Sequence, residues 1–323
     1  MIKFYIIIVY KKMVCGKNTF YIFTIVILTI LVVIFLVVIG TLYKFITTLY
    51  KQNFPDDGNY YKDNNNIFEN YKRDPEIIKE FSIENVKISA ANIFEVTKLK
   101  KNVIVGKNAI VGKNTYLKNK EGKIVGMCIE KEKHIEFYFQ CMVYSPQMFY
   151  KLSKSNIGYL TSKDKKENLA LHKGVSELFL DISLEIYKII DNNATDKPIF
   201  IAGRSLGGVY GILTAKYALE KNNKVLVYTL GTPKFCNDKF KEYIESYDGK
   251  NLLGMYRIFN TSDAIPALSP TSIPSYLSVE KLYYDYRFLG KPVCYESDVN
   301  DIGSAHNDKC YFDITKENII TVL

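Results

Sequence analysis

Residues 198–219 read PIFIAGRSLGGVYGILTAKYAL, and the way this stretch divides decides the fold. Ile199 to Ala202 form a short apolar run of the kind that makes a buried strand, while Val209, Ile212, Leu213 and Tyr217 recur at the spacing of one helix face. Between the two, Gly203, Ser205 and Gly207 stand at the spacing of a nucleophile elbow, Gly-x-Ser-x-Gly. A serine on such an elbow is held out at the tip of a strained turn. Side chains two residues before and after it would collide across the bend, so both positions call for glycine.

The neighbouring segments extend the pattern. Upstream, Val175, Leu178, Phe179, Ile182, Ile186, Ile189 and Ile190 trace one face of an amphipathic helix that the polar run Asp191 to Lys197 and then Pro198 bring to an end. Downstream, Val225 to Leu230 reads as a strand closed by Gly231-Thr232-Pro233, and Met255 to Phe259 as another before Asn260-Thr261-Ser262-Asp263. Strands alternating with helices predict an α/β fold with a mainly parallel central sheet. Catalytic groups on such a sheet belong at the carboxyl ends of strands, where Ser205 and Asp263 both fall.

Composition removes other readings. The chain has 323 residues, 48% hydrophobic and 24% charged, enough to bury a large core and too apolar for general disorder. Three histidines (134, 172 and 306) exclude a His-rich metal centre, and the six cysteines contain no Cys-x-x-Cys pair, so no metal is expected. Gly106 to Lys113 approaches a phosphate-loop pattern but has the wrong glycine spacing, and Asn114 stands where Ser or Thr would hold magnesium. VGKNA at Val105 and VGKNT at Val111 repeat once, which suits a local hairpin rather than a solenoid. The net charge is +9, but Lys3, Lys11, Lys12 and Lys17 carry four of those charges, and no basic run interleaved with aromatics marks a nucleic-acid surface.

The N-terminal region reads as a membrane anchor. No charged residue occurs from Asn18 to Tyr43, and FYIFTIVILTILVVIFLVVI (20–39) has the length of an apolar helix of roughly 30 Å, the thickness of a bilayer core. Lysines gather before it, whereas Lys44 and Lys51 after it are offset by Asp56 and Asp57, which predicts the N-terminus on the cytoplasmic side. The expected organisation is therefore a basic cytoplasmic tail (1–19), a transmembrane signal anchor (20–43), a polar stalk (44–66) and one folded domain (67–323), lumenal or extracellular. Secretion after signal cleavage is the alternative, disfavoured by the length of the apolar run and the lack of an Ala-x-Ala-like site.

Four stretches carry a resemblance: HKGV at His172, GRSLGG at Gly203, YTLGTPKFCNDKF at Tyr228 and YRIFNTSDAIPALSP at Tyr256. Together, over roughly residues 85–310, the chain resembles the class 3, or fungal-type, triacylglycerol lipases. The resemblance implies an α/β-hydrolase fold with Ser205 as nucleophile, Asp263 as acid and His306, in GSAHNDKCYF, as base, in the chain order that fold uses. The chemistry agrees: a serine hydroxyl is inert until an imidazole takes its proton and a carboxylate fixes the imidazole tautomer. Of the other histidines, His134 lies in the charged EKEKH turn, and His172 begins the helix that leads to the elbow strand, a structural place.

Two departures from the family stand beside the site. Arg204 occupies the position before the nucleophile where the family commonly has His, and Phe139-Gln140-Cys141-Met142 replaces the family's Phe-Arg-Gly-Ser/Thr segment, which donates to the oxyanion. The oxyanion hole implied by the resemblance is the backbone N–H of Leu206 with that of Met142. Loss of one such donor typically costs about 10² to 10³ in rate, so reduced rather than abolished activity is expected. Ser145 to Leu152 takes the place of the family's lid, with Met148, Phe149 and Leu152 as its apolar face. Cys128 and Cys141 could pair across the EKEKH turn, and Asn193-Ala194-Thr195 and Asn260-Thr261-Ser262 are glycosylation sequons.

The resulting expectation is a membrane-anchored serine hydrolase that cleaves lipid carboxylic esters through an acyl-enzyme, with no cofactor and with a lipid surface as its partner. Triacylglycerol is the first substrate and phospholipid acyl esters the second. The rival is a catalytically inactive, lipase-like membrane binding protein.

Overall fold

The computed structural model describes residues 28–33, 37, 40, 71, 73–100, 113–140, 157–193, 197–263, 266, 287–297 and 305–322. The chain divides into two compact units, Met1–Asp56 and Asp57–Leu323. In the first, residues 28–33, 37 and 40 are helical and exposed, Leu28, Leu31 and Val37 among them. Among the described residues no helix is long and apolar enough to cross a membrane, and most of the 20–43 segment lies outside them.

The second unit carries the predicted alternation. In chain order it contains α1 (Ile83–Lys100), β1 (Lys113–Lys118), β2 (Ile124–Glu130), β3 (Ile135–Phe139), β4 (Ile157–Gly158), α2 (Ser162–Lys166), β5 (Leu171–His172), α3 (Lys173–Asp191), β6 (Ile199–Arg204), α4 (Leu206–Glu220), β7 (Val225–Leu230), α5 (Asp238–Glu245), β8 (Leu252–Asn260), β9 (Lys291–Tyr295) and β10 (Ile319–Val322). Eight strands form one sheet in the order β1-β2-β3-β6-β7-β8-β9-β10. The five from β3 to β9 run parallel, with antiparallel strands β1, β2 and β10 at the edges. The β8 strand is longer than Met255 to Phe259 because Leu252 and Gly254 already pair with β7.

Strand alternation assigns the two faces. Phe137, Phe139, Ile199, Ile201, Val225 and Val227 point to one side, where they pack with Phe179 and Ile182 of α3, Val209 and Leu213 of α4 and Phe240 of α5. Tyr138, Phe200, Ala202, Leu226 and Tyr228 point to the other, against Ala90 and Phe94 of α1 and against Tyr311 and Phe312 of a 3₁₀ turn (Asp308–Phe312). All residues of β3, β6 and β7 are buried, as strands covered on both faces must be. Each such apolar side chain contributes about 1.5–3 kcal/mol relative to exposure.

Several sequence expectations meet particular outcomes here. His172 caps α3, its Nδ1 accepting the Val175 N–H at 3.4 Å, which is a structural role. His134, in the charged turn, is buried: its Nε2 lies 2.6 Å from Glu136 Oε1, and Tyr138 donates its hydroxyl to Glu136 Oε2 at 3.0 Å. The Cys128–Cys141 pairing is overturned by register, since Cys128 faces Phe137, and its thiol is free and buried. The second copy of the VGKN repeat runs into β1, whose partner is β2; the first copy lies outside the described residues. Neither sequon offers a free amide. Asn193 Nδ2 donates to the Lys197 carbonyl at 3.0 Å, and Asn260 is fully buried.

Candidate active site

The site is built where β6 turns into α4. Ser205 has φ 56° and ψ −127°, a left-handed conformation that non-glycine residues rarely adopt, and it is 2% exposed. Its N–H is held by the Leu230 carbonyl at 2.9 Å, and its own carbonyl accepts the Gly208 N–H at 3.0 Å. Although Ser205 precedes the first residue of α4, where serine commonly caps a helix, its hydroxyl makes no capping hydrogen bond.

The glycines on either side are required by space. A Cβ on Gly203 would lie 2.5 Å from the Gly207 carbonyl carbon, and a Cβ on Gly207 would lie 2.5 Å from the carbonyl oxygens of both Phe139 and Gln140. The second contact also fixes where the end of β3 sits. Phe139 pairs with Gly203 in register, so the strand that carries the altered oxyanion segment ends against the elbow. Gln140 is buried, its N–H donating to Val125 at 3.2 Å and its Nε2 to Ile124 at 2.7 Å. Leu206 is the first residue of α4, where helix N–H groups have no partner within the helix. Met142, the other proposed oxyanion donor, lies outside the described residues, as do Cys141 and the lid candidates Met148, Phe149 and Leu152.

Asp263 follows β8 through a tight turn in which Asn260 Oδ1 accepts the Ser262 N–H and the Asn260 carbonyl accepts the Asp263 N–H, both at 3.0 Å. His306 comes after β9, just ahead of the 3₁₀ turn. The two side chains meet: His306 Nδ1 is 2.7 Å from Asp263 Oδ2, with the carboxylate fully buried and the imidazole about one-tenth exposed. This is the geometry in which a carboxylate holds Nδ1–H and leaves Nε2 to act as a base.

Three residues that sequence reasoning left without a role complete the surroundings. Gly231 ends β7 with φ 59°, and a Cβ there would lie 2.6 Å from Tyr311 Oη, 2.7 Å from Asp263 Oδ2 and 3.0 Å from His306 Cε1. Tyr311 is fully buried, and burial together with the Asp263 charge pushes its phenol well above the ordinary value. Its hydroxyl has no hydrogen-bond partner among the described residues. Arg204, noted as a departure, is buried and donates to the main-chain carbonyl of His306. Gly231 lies within the quoted YTLGTPKF motif, but its turn alone gave no sign that it borders Asp263 and His306.

One group of side chains of metal-binding type converges among the described residues, Asp74, His134 and Glu136, with ligand atoms within 4.8 Å of one another. Protein partners already engage it: His134 and Tyr138 hold Glu136, and Lys131 lies 2.8 Å from Asp74.

The family model for lipase (class 3) matches residues 137–273. A secreted mono- and diacylglycerol lipase 1 of Fusarium solani is 26% identical over 122 residues, covering 37% of this chain and 35% of that protein, so the match spans about a third of the relative's length. A deletion mutant of the Rhizomucor miehei lipase propeptide complex is similar in structure with a TM-score of 0.50, at 14% identity, covering 75% of this chain and 80% of that one. Nonglycosylated Yarrowia lipolytica LIP2 lipase gives a TM-score of 0.47 at 15% identity, covering 73% and 81%. The Rhizomucor miehei likeness and the sheet topology agree on an α/β-hydrolase lipase fold.

Proposed function

We propose, starting from the class 3 lipases, the family of carboxylic ester hydrolases to which residues 137–273 belong, that this chain hydrolyses lipid esters through an acyl-enzyme on Ser205. The observation that carries the reading is the 2.7 Å contact of His306 Nδ1 with Asp263 Oδ2, in a molecule whose strained elbow keeps the Ser205 hydroxyl out of any capping bond. In the proposed reaction, Ser205 Oγ attacks the ester carbonyl while His306 Nε2 takes its proton and Asp263 stabilises the imidazolium. The oxyanion forms at the N-terminus of α4, towards the Leu206 N–H, with the Met142 N–H as second donor. The imidazolium then protonates the leaving alcohol, and water, deprotonated by the same His306, releases the fatty acid and restores Ser205. No metal or organic cofactor takes part in these steps.

The apolar run 20–39 is proposed as the anchor that keeps this site at a lipid surface, with the hydrolase unit lumenal or extracellular. The absence of charge over that run and the exposure of its described helical residues support this. Mono- and diacylglycerol hydrolysis by the Fusarium relative makes neutral acylglycerols the first substrates to try.

The test is a fluorophosphonate probe on the full chain in membranes. Wild type should be labelled, Ser205→Ala should lose all labelling, and hydrolysis of acylglycerol emulsions should disappear with it. A folded wild type that resists the probe would refute the hydrolase and favour the inactive binding protein. Faster cleavage of phospholipid than of acylglycerol would move the substrate to phospholipid acyl esters. Protease protection of residues 57–323 in sealed membranes checks the orientation.

A further inference from the structure

The two residues before the elbow serine leave the sheet on opposite faces. Ile199, Ile201 and Gly203 turn towards α4, whereas Phe200, Ala202 and Arg204 turn towards α1 and the 3₁₀ turn that holds Tyr311 and Phe312. Arg204 therefore enters an apolar layer, and it is 3% exposed. A buried guanidinium is tolerated only where its donors are met, because it stays charged at any physiological pH. Here Nη1 donates to the main-chain carbonyl of His306, a residue 102 positions further along the chain.

We propose that Arg204 is a positioning residue: it ties the main chain of His306 to the last residue of β6, and so sets the imidazole relative to Ser205, the next residue in sequence. The inference rests on Ser205 and His306 acting as nucleophile and base. Among the described residues, His306 lies between the end of β9 and the 3₁₀ turn, so no strand of the sheet holds it. The tie acts on its backbone, and the Asp263 contact acts on its ring. A charge-assisted bond from a planar fork fixes direction as well as distance, which a residue outside the sheet needs if it must present a base to a hydroxyl. The burial of Arg204 and its donation into the protein oppose the other reading of a cation at this position, a contact to an anionic group on the substrate.

The test compares wild type, Arg204→Lys and Arg204→Met in the full chain in membranes. Met keeps the aliphatic stem and loses every donor; Lys keeps the charge and loses the fork. Arg204→Met should lower kcat by about 10- to 100-fold with KM changed less than about twofold, the size of effect that small misplacement of a catalytic group produces. Fluorophosphonate labelling should slow in parallel, and Arg204→Lys should fall between the two. The Nδ1–H proton resonance of His306, assigned by its loss in His306→Ala, should shift or broaden in Arg204→Met. Wild-type kcat in folded Arg204→Met, or a loss confined to KM, would overturn the proposal. If Arg204→Met does not fold, Arg204→Lys decides, and wild-type kcat in that variant overturns it. Should wild type itself resist the probe, the hydrolase reading fails separately, and the resonance still tests the tie: its persistence unchanged in Arg204→Met would sink the inference.

Discussion

Replacing Gly231 by Ala separates what this glycine does for the backbone from what it does for the site. Its φ of 59° costs an alanine roughly 1–2 kcal/mol in the left-handed region. The added methyl would also lie 2.6 Å from Tyr311 Oη and 2.7 Å from Asp263 Oδ2, where ordinary contact begins at 3.4 Å. The atoms must therefore part by about 0.7 Å, overpacking that costs a further ~1–3 kcal/mol. Two of the three atoms that crowd the methyl belong to Asp263 and His306, so the displacement falls on the proposed acid and base. A shift of that size exceeds the roughly 0.5 Å within which catalytic groups must be held, and a loss of kcat of about 10- to 100-fold follows. Gly122 is the matched control: its φ is 74°, and nothing lies within 4 Å of a Cβ there. Steady-state hydrolysis of a soluble p-nitrophenyl ester and thermal unfolding of both variants provide the measurement. Gly122→Ala should lower Tm by about 2–6 °C with wild-type kcat, and Gly231→Ala should lower both. Wild-type kcat in Gly231→Ala would refute the reasoning, because it would mean that Asp263 and His306 move without consequence.

Two further outcomes concern stability. Lys216 Nζ lies 2.9 Å from Asp164 and 3.0 Å from Glu220, with the Lys216 and Asp164 side chains almost completely buried, so Lys216→Met should cost about 3–5 kcal/mol by stranding Asp164. Chemical denaturation measures this, and a cost below about 1 kcal/mol would show that Asp164 finds water or another partner. His134→Ala should cost about 1–3 kcal/mol by removing one of the two partners of buried Glu136, with Tyr138 left, while leaving kcat unchanged, since the pair lies at the amino end of β3, away from the elbow. A large loss of kcat in that variant would contradict the structural role.

Local patterns in the sequence reached far into this fold, for identifiable reasons. The elbow was legible because a strained serine flanked by glycines has few other uses, and the strands around it because residues covered on both faces must be continuously apolar. The amphipathic helix over 173–191 was legible because one of its faces is buried and the other is not, with Leu184 on the open side. What stayed hidden depends on contacts between distant segments. His134 lies in a turn of charged residues, and nothing local in the sequence shows that the hairpin turns it inward onto Glu136. The Cys128 pairing failed because β2 and β3 join through a short turn, which sets Cys128 against Phe137 and leaves its thiol free.

Arg204 shows why the candidate site was only half legible. Read as a departure from the family, it was a bulky cation beside the elbow serine, with no role of its own. The strand's period of two gives another assignment: if Gly203 must face the helix so that Gly207 can approach, the residue after it must face the opposite layer. The spacing that identifies the elbow thus also removes Arg204 from the helix side and sends it under the segment that carries the proposed base. That step needed the identity of the segment lying beneath β6, which no local pattern contains. If Ser205 and His306 act as proposed, a residue next to the serine contributes to catalysis without touching substrate, through the main chain of the segment that carries the base.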